Sequence, residues 1–264
     1  PLPEARMYAD LMLTELRKVI PSFLRRVDLP ERGQAWSDYM SSTRQAMETT
    51  AYELLPGDEV TSPSAPTVTL VDWDPEGEVK AIAAMLYPYT GLAETQVLDR
   101  VRAMGMEDRM AVVRAYVGER SNRRHKPGRA LERTDYRFDV ISDYGAFRDL
   151  QRHRLMTIEW QELTPRHGYT RPLAIDESGL AERFDDAMAT SAGLWSDLSE
   201  RFPERAAYAV SLAYRIRYVM QFNAREAMHL IELRTSVQGH PSYRAVGQEM
   251  HRLIAEQAGH RAIA

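Results

Sequence analysis

The chain has 264 residues, of which 44% are hydrophobic and 27% charged, and its formal net charge is -4. This composition is typical of a globular protein with ample material for a core. The slight negative charge argues against a general nucleic-acid or membrane-surface binder. The absence of Cys excludes disulfides, cysteine-ligated zinc, iron–sulfur clusters and a cysteine nucleophile. No stretch approaches the roughly 18–20 apolar residues of a membrane span and no signal-peptide pattern opens the chain, so we expect a cytoplasmic protein.

The first 66 residues predict two helices and a linker. Residues 4–27 carry apolar side chains at helical spacing, and residues 35–54 repeat such a pattern. Residues 56–66 are rich in Pro, Ser and Gly, which is typical of a linker. We therefore expect residues 1–55 to be a helical extension without chemistry of its own, and residues 67–264 to form the main domain.

The segment after the linker predicts a strand followed by helices. Residues 67–73 alternate and are rich in β-branched side chains. Asp74 can cap a helix, and Pro75 suits the first helical position because it has no backbone donor to leave unpaired. The expected helices span 76–87, 93–104 and 107–117.

Residues 118–133 form a strongly basic segment. Its basic side chains are Arg120, Arg123, Arg124, His125, Lys126, Arg129 and Arg133. Such a run is usually a solvated loop, but several cations on one loop also suit phosphate groups. The alternation of Tyr136, Phe138 and Val140 with polar residues then predicts a half-buried strand.

The stretch 145–169 concentrates polar groups. A short helix over 145–154 is expected to end in the triplet Arg152-His153-Arg154, whose guanidinium groups suit phosphate or carboxylate oxygens. The alternating run 157–163 predicts a strand that places Glu162 on its apolar side. A carboxylate there needs a partner or a ligand.

From residue 176 onward the pattern predicts helices only, over 180–202, 204–233 and 242–257. In the long second helix, Arg225, His229 and Glu232 are expected to share one face, with Asn223 pointing the other way. The whole chain is therefore predicted to be α+β: a helix-dominated domain with a small, mostly antiparallel sheet, preceded by a helical N-terminal extension.

Common cofactor and hydrolase motifs are missing. The chain contains no G-x-G-x-x-G, Walker loop, H-E-x-x-H or G-x-S-x-G, and its seven His residues show no metal-ligand spacing, so we expect no metal site. The triplet alone is most often a set of surface ion pairs. With the turn Thr164–Arg166 and the polar run 223–234, it instead favours a phosphorylated, ring-bearing ligand.

These segments resemble the flavin-dependent thymidylate synthases in their order along the chain, over about residues 67–258. That family has R-H-R, seven residues and S-x-R, where this chain has Arg152-His153-Arg154, nine residues and Thr164-Pro165-Arg166. The strand–helix start at 70–87 is also similar, as is His125 followed by Ala130-Leu131-Glu132-Arg133. Near the C-terminus, Asn223-Ala224-Arg225 with Leu230 and Leu233-Arg234 follows the family pattern.

The resemblance implies a function and a set of site residues. It implies transfer of a one-carbon unit from methylenetetrahydrofolate to dUMP, giving dTMP, with FAD as cofactor and NADPH as reductant. The family is a homotetramer with sites between subunits, and its reaction needs no enzymic cysteine. The implied FAD contacts are Glu132, Arg152, His153, Arg154, Asn223, Arg225 and His229. The implied dUMP contacts are Glu162, Thr164, Arg166 and Arg234, of which Thr164 and Arg234 would also take part in catalysis.

Several features depart from the family pattern. The spacing after the triplet is two residues longer, Thr164 replaces a Ser, and Asp149 stands where a Gln is usual. Residues 1–66 precede the resembling region, so we expect this chain to be the C-terminal half of a double-length protein. Two alternatives stay open: a non-catalytic half that supports a catalytic partner domain, and a phosphate- or nucleic-acid-binding helical module that uses residues 120–133.

Overall fold

The computed structural model describes residues 2–55, 63 and 65–264. The chain forms two compact units, Pro1–Glu59 and Val60–Ala264. The predicted linker falls largely on residues 56–62 and 64, which lie outside the described ones, so the predicted domain boundaries stay a prediction. Within the described residues, no helix combines the length and the apolar character that crossing a bilayer requires.

The first unit consists of helices. They are α1 (Pro3–Val19), α2 (Pro21–Leu24), a 3-10 turn (Arg25–Asp28) and α3 (Gln34–Leu54). The prediction of one helix over 4–27 is wrong, because Pro21 pushes Ile20 out of the helical region, to φ -131° and ψ 50°. No side chain in residues 2–55 is buried.

The second unit combines four strands with helices. Its strands are β1 (Thr67–Trp73), β2 (Asp135–Asp143), β3 (Thr157–Trp160) and β4 (Arg215–Asn223). Its helices are α4 (Gly77–Leu86), α5 (Glu94–Arg102), α6 (Met106–Val117), α7 (Tyr144–Leu150), α8 (Leu173–Glu177), α9 (Ala181–Arg201), α10 (Pro203–Ala206), α11 (Ala224–Arg234) and α12 (Pro241–Glu256). Short 3-10 turns lie at Tyr87–Tyr89, Arg129–Arg133, Pro165–His167 and Ala207–Ala209.

The strands form one antiparallel sheet in the order β1-β2-β4-β3. In the centre, Phe138 pairs with Met220 and Val140 with Tyr218. All four of these side chains are at most 1% exposed, because they point to the sheet face that the helices cover. The predicted fold class, helix-rich with a small antiparallel sheet, is confirmed.

The predicted long helix over 204–233 is wrong. The short helix α10 ends at Ala206, residues 215–223 are the strand β4 inside the sheet, and α11 starts at Ala224. The buried side chains Ile216, Tyr218, Met220 and Phe222 alternate with more exposed ones, which is the period of a strand and not of a helix. The helical pattern downstream, in α11, obscured this signal.

The region around the triplet also differs from the prediction. Helix α7 is capped by Asp143, whose side chain accepts a hydrogen bond from the Ala146 amide at 2.8 Å, and it ends at Leu150. Arg152-His153-Arg154 therefore follows the helix instead of lying in its last turn. The strand β3 ends at Trp160, so Glu162 has left the sheet and is exposed. The expected position of Glu162 on an apolar face is wrong.

Candidate functional site

A cleft of about 860 Å³ lies where three distant segments of the second unit meet. The segments are the basic loop and turn (120–132), the residues after α7 (152–155), and the helix α11 with the residue before it (223–234). The cleft brings together eight predicted site residues: Glu132, Arg152, His153, Arg154, Asn223, Arg225, His229 and Arg234.

A buried hydrogen-bond network lies at the base of this cleft. His153 Nδ1 is 2.8 Å from Glu226 Oε1, and both side chains are at most 5% exposed. Arg234 Nε donates to His153 Nε2 at 3.1 Å. Since a guanidinium group can only donate, Nε2 is the acceptor and the proton of a neutral His153 ring lies on Nδ1, facing Glu226. The network fixes both the tautomer and the orientation of the imidazole.

Arg234 extends the network to a second wall. Its Nη2 donates to the Asp149 carbonyl, its Nη1 lies 3.4 Å from Asp149 Oδ1, and its guanidinium group stands 5.5 Å from the Tyr243 ring centroid. The resemblance assigns His153 to a cofactor and Arg234 to a substrate, yet the two side chains contact each other directly. Any ligand that draws Arg234 away would therefore also disturb His153.

Glu226 is a site residue that the sequence analysis missed. It lies three residues after Asn223, whose side chain caps α11 by accepting from the Glu226 amide at 2.9 Å. An acidic residue at this third helical position is an ordinary feature of a helix start. Only the fold, which joins Glu226 to His153 across 73 residues, shows its second role.

Several cations that line the cleft are neutralised by carboxylates. Arg225 donates to the Pro127 carbonyl and to Glu132 Oε1, each at 3.0 Å. Arg129 contacts the other oxygen of Glu132 at 2.9 Å, and Arg120 makes a two-point contact with Glu232 at 2.7 and 2.8 Å. These pairs build the wall of the cleft.

Three other cations around the cleft keep their charge uncompensated. Arg123, Lys126 and Arg154 are exposed, and no ion pair joins them to any of the described residues. Exposed, unpaired guanidinium and ammonium groups on a concave surface favour an anionic ligand, and guanidinium groups suit phosphate oxygens in particular.

His229 lies between the buried network and the exposed cations. Its ring centroid is 5.5 Å from that of His153, in an edge-on arrangement. Burial is the main cause that lowers the pKa of His229, and Glu226 offsets this effect in part. The positive charges of Lys126 and Arg123 lower the pKa further. A neutral His229 at pH 7 can donate one hydrogen bond and accept another.

The fold brings His153, Glu226 and His229 together as three potential metal ligands, although their spacing in the sequence did not indicate it. Their ligand atoms lie within 4.8 Å of one another. Both nitrogens of His153 are already in hydrogen bonds, and Arg234 is one of the partners. We therefore interpret the cluster as a hydrogen-bond network.

A second cleft, of about 380 Å³, lies beyond Arg234 and is lined in part by Asp143, Asp149 and Tyr243. Asp149 and Tyr243 are also the contacts of Arg234. Asp143 Oδ2 is buried without a hydrogen-bond partner among the described residues. Arg234 thus stands between the two clefts.

The predicted residues Glu162, Thr164 and Arg166 line neither cleft. Glu162 is exposed, while Thr164 is buried and its hydroxyl caps the following 3-10 turn by accepting from the Arg166 amide at 3.3 Å. The Arg166 guanidinium group lies 5.7 Å from the Trp195 ring centroid. A single copy of the chain therefore does not bring all the predicted site residues into one site.

A family model described as thymidylate synthase complementing protein matches residues 69–258. The chain belongs to this family, and the predicted resemblance is confirmed.

Known relatives of the chain are longer than the chain itself. UPF0159 proteins of Chlamydia pneumoniae and Chlamydia muridarum are 36% and 37% identical to it over 256 residues, which are 97% of this chain and 48% of each relative. A UPF0159 protein of Thermoplasma acidophilum is 35% identical over 191 residues, which are 71% of this chain and 38% of that relative. The chain thus spans about half the length of the curated relatives it matches.

Among solved structures, the chain is similar to the UMP/dUMP methylase PolB of Streptomyces cacaoi, bound with 5-Br dUMP. The TM-score is 0.57 at 17% sequence identity, and the similarity covers 77% of this chain and 96% of the other. At this identity the similarity establishes a shared fold.

Proposed function

We propose that the cleft binds FAD and that the protein methylates a uridine nucleotide, converting dUMP to dTMP. The observation that carries the proposal is the set of unpaired cations Arg123, Lys126 and Arg154 around a cleft that also holds the oriented His153. Membership of the thymidylate synthase complementing protein family and the fold shared with a UMP/dUMP methylase support it.

The residues present fit a flavin dinucleotide. The cleft volume of about 860 Å³ lies in the range of roughly 300–1,000 Å³ that is usual for small-molecule sites. Arg123, Lys126 and Arg154 would bind the diphosphate, and His153, His229 and Asn223 would contact the polar edge of the ring system. When bound, the flavin would pass a hydride from NADPH towards the one-carbon unit.

The proposed overall reaction balances without an enzymic nucleophile. Methylenetetrahydrofolate supplies a CH2 group to C5 of dUMP, and NADPH and one proton supply the remaining hydrogens. The products are dTMP, tetrahydrofolate and NADP+. This route suits a chain with no Cys.

Within this proposal, Arg234 would orient the nucleotide. It stands between the larger cleft and the second cleft, so a nucleotide in the second cleft would lie next to the flavin. Glu162, Thr164 and Arg166 line neither cleft, so we propose that they reach a nucleotide bound to another copy. The assembly would be a homo-oligomer, either a tetramer or a dimer of double-length chains.

Flavin titration followed by dUMP-dependent reoxidation tests the proposal. Protein incubated with FAD and then desalted should remain yellow, and after reduction its flavin should be reoxidised faster when dUMP and methylenetetrahydrofolate are added. Colourless protein after desalting would overturn the assignment of the cleft.

A second candidate function is a non-catalytic half that binds flavin and supports a catalytic partner. The contacts of Arg234 with His153 and Asp149 favour it, because they occupy all three guanidinium nitrogens. Yellow protein without dUMP-dependent reoxidation, together with a double-length relative that is reoxidised and stays so with Ala at the position aligned with Arg234, would support this reading over the first.

A further inference from the structure

The N-terminal unit leaves its apolar side chains uncovered. On α1, Met7, Tyr8, Leu11 and Met12 are 51–62% exposed and Leu16 is 39% exposed. On α3, Trp36 and Met47 are more than 60% exposed. No side chain of residues 2–55 is buried, so the unit does not form a core of its own.

The exposed side chains of α1 lie on one face. Residues 8, 12 and 16 are four apart and therefore follow one stripe of the helix, with residues 7 and 11 beside it. In proteins, most of the stability of a helix such as the 17-residue α1 comes from packing its apolar face against a partner. The stripe therefore requires a partner surface.

The sequence of α1 resembles that of α12. Both begin with Pro as the first helical residue, and a shift of 238 positions aligns Pro3 with Pro241, Arg6 with Arg244 and Met12 with Met250. Of the five buried residues of α12, four align with apolar residues of α1: Val246 with Tyr8, Gly247 with Ala9, Met250 with Met12 and Ile254 with Leu16. The fifth, Leu253, aligns with Glu15.

In the second unit, α12 covers the sheet. It packs on β1 and β2, Met250 is 0% exposed, and Gln257 just beyond the helix donates to the Leu70 carbonyl at 3.1 Å. Val246, Met250 and Ile254, which align with Tyr8, Met12 and Leu16 of the α1 stripe, are thus on the buried face of α12, the helix that covers a sheet of this fold.

The length of the relatives indicates which surface covers the apolar stripe of α1. The matched 256 residues are only 48% of each Chlamydia relative, so about as much chain again lies outside the match. The match takes in 97% of this chain, which includes most of α1 and α3.

We propose that α1 is the sheet-covering helix of a second unit of the same fold, whose strands lie in the other half of the double-length protein. A second copy of this chain does not offer that surface, because its own α12 already covers the sheet. The inference does not depend on the proposed function.

Hydrogen–deuterium exchange of the 264-residue chain and of the full-length Chlamydia pneumoniae relative tests the inference. Amides of α1 should exchange at least about 100-fold more slowly in the relative, where the second sheet is present. Equal rates in the two proteins would overturn the inference. Protection in the 264-residue chain that grows with protein concentration would also overturn it, because a second copy would then be the occupant.

A pair of Glu substitutions tests which face of α1 packs against the second sheet. In the full-length relative, Glu at the position aligned with Met12 should speed exchange of the α1 segment at least about tenfold. Glu at the position aligned with Thr14, two residues on and therefore on the opposite side of the helix, should leave it unchanged. Equal effects of the two changes would overturn the assignment. In the 264-residue chain, Met12→Glu should leave the melting temperature unchanged, and a clear decrease would count against a partner outside this chain.

Discussion

His153 and Arg154 are neighbours in the sequence, yet they belong to two different regions of the cleft. His153 is buried, and both of its ring nitrogens are in hydrogen bonds, to Glu226 and Arg234. Arg154 is exposed and forms no ion pair with the described residues around it. Removing one of two buried hydrogen-bond partners leaves the other polar group unpaired, which lowers the free energy of unfolding. Removing an exposed cation changes that free energy little. Burial thus separates residues that support the fold from residues available to a ligand.

The largest effect is expected at the buried region, from His153→Ala. Without the imidazole, the buried Glu226 carboxylate loses its hydrogen-bond donor, and leaving a buried charged acceptor unpaired costs about 3 kcal/mol or more. Urea denaturation should therefore show a decrease of this size in the free energy of unfolding.

Arg152→Ala is the matched control, one residue away. The side chain of Arg152 is 69% exposed, and its contact with Asp149 is long, at 3.5 Å. We expect a change within about 0.5 kcal/mol. If His153→Ala were as mild as its control, the buried network would not support the fold, and the contrast between the two regions would fail.

The next largest effect concerns the exposed region. Arg154→Ala should leave the free energy of unfolding nearly unchanged but weaken FAD binding about tenfold to hundredfold, since one charge-assisted hydrogen bond is worth about 1.5–3 kcal/mol. Fluorescence titration of FAD gives the affinity. The control is Arg201→Ala, an exposed arginine at the end of α9 that does not line the cleft. Equal losses in both variants would indicate a general charge effect instead of a binding site.

A smaller effect is expected outside the cleft, from Arg166→Ala. If this residue serves a nucleotide bound to another copy, dUMP-dependent flavin reoxidation should fall about tenfold, in line with one lost charge-assisted contact. FAD affinity should change less than about twofold, because Arg166 does not line the cleft. Stopped-flow absorbance measures the reoxidation.

The exposed Arg183 of α9 offers a control for Arg166. Arg183→Ala should change neither the reoxidation nor the flavin affinity. Normal reoxidation in Arg166→Ala would remove the turn 164–166 from the proposed site.

Local sequence signals predicted much of the fold. The alternation in 67–73 and the Asp74-Pro75 helix start gave β1 and α4 within one or two residues, because both are local features. The strand β4 was missed because its alternation runs directly into the helix α11, and Pro21 was overlooked as a break in the first helix.

The site was predictable residue by residue, but not as an arrangement. The resemblance indicated His153 and Arg234, but their mutual hydrogen bond joins residues 81 positions apart and depends on how the segment after α7 lies against α11. The role of Glu226 was hidden for the same reason. The turn 164–166 matches the family motif in sequence, while its position relative to the cleft depends on tertiary structure and on any assembly.

The smallest effect is expected at His229, which lies between the two regions. Because burial lowers its pKa, the unfolded chain binds a proton at this residue first as the pH falls through about 6.5, the ordinary value for His. Stability should therefore decrease below that pH, and His229→Asn should flatten this part of the profile. The side chain is only half-buried, so solvent screening limits the change in the free energy of unfolding to about a few tenths of a kcal/mol between pH 7.5 and 5.5.

Urea denaturation at several pH values measures this change. The unchanged chain is the reference, because His167 and His260 also have lowered pKa values. An identical profile in the variant would mean that His229 is as accessible to protons in the folded chain as in the unfolded one, and would place it with the exposed cations.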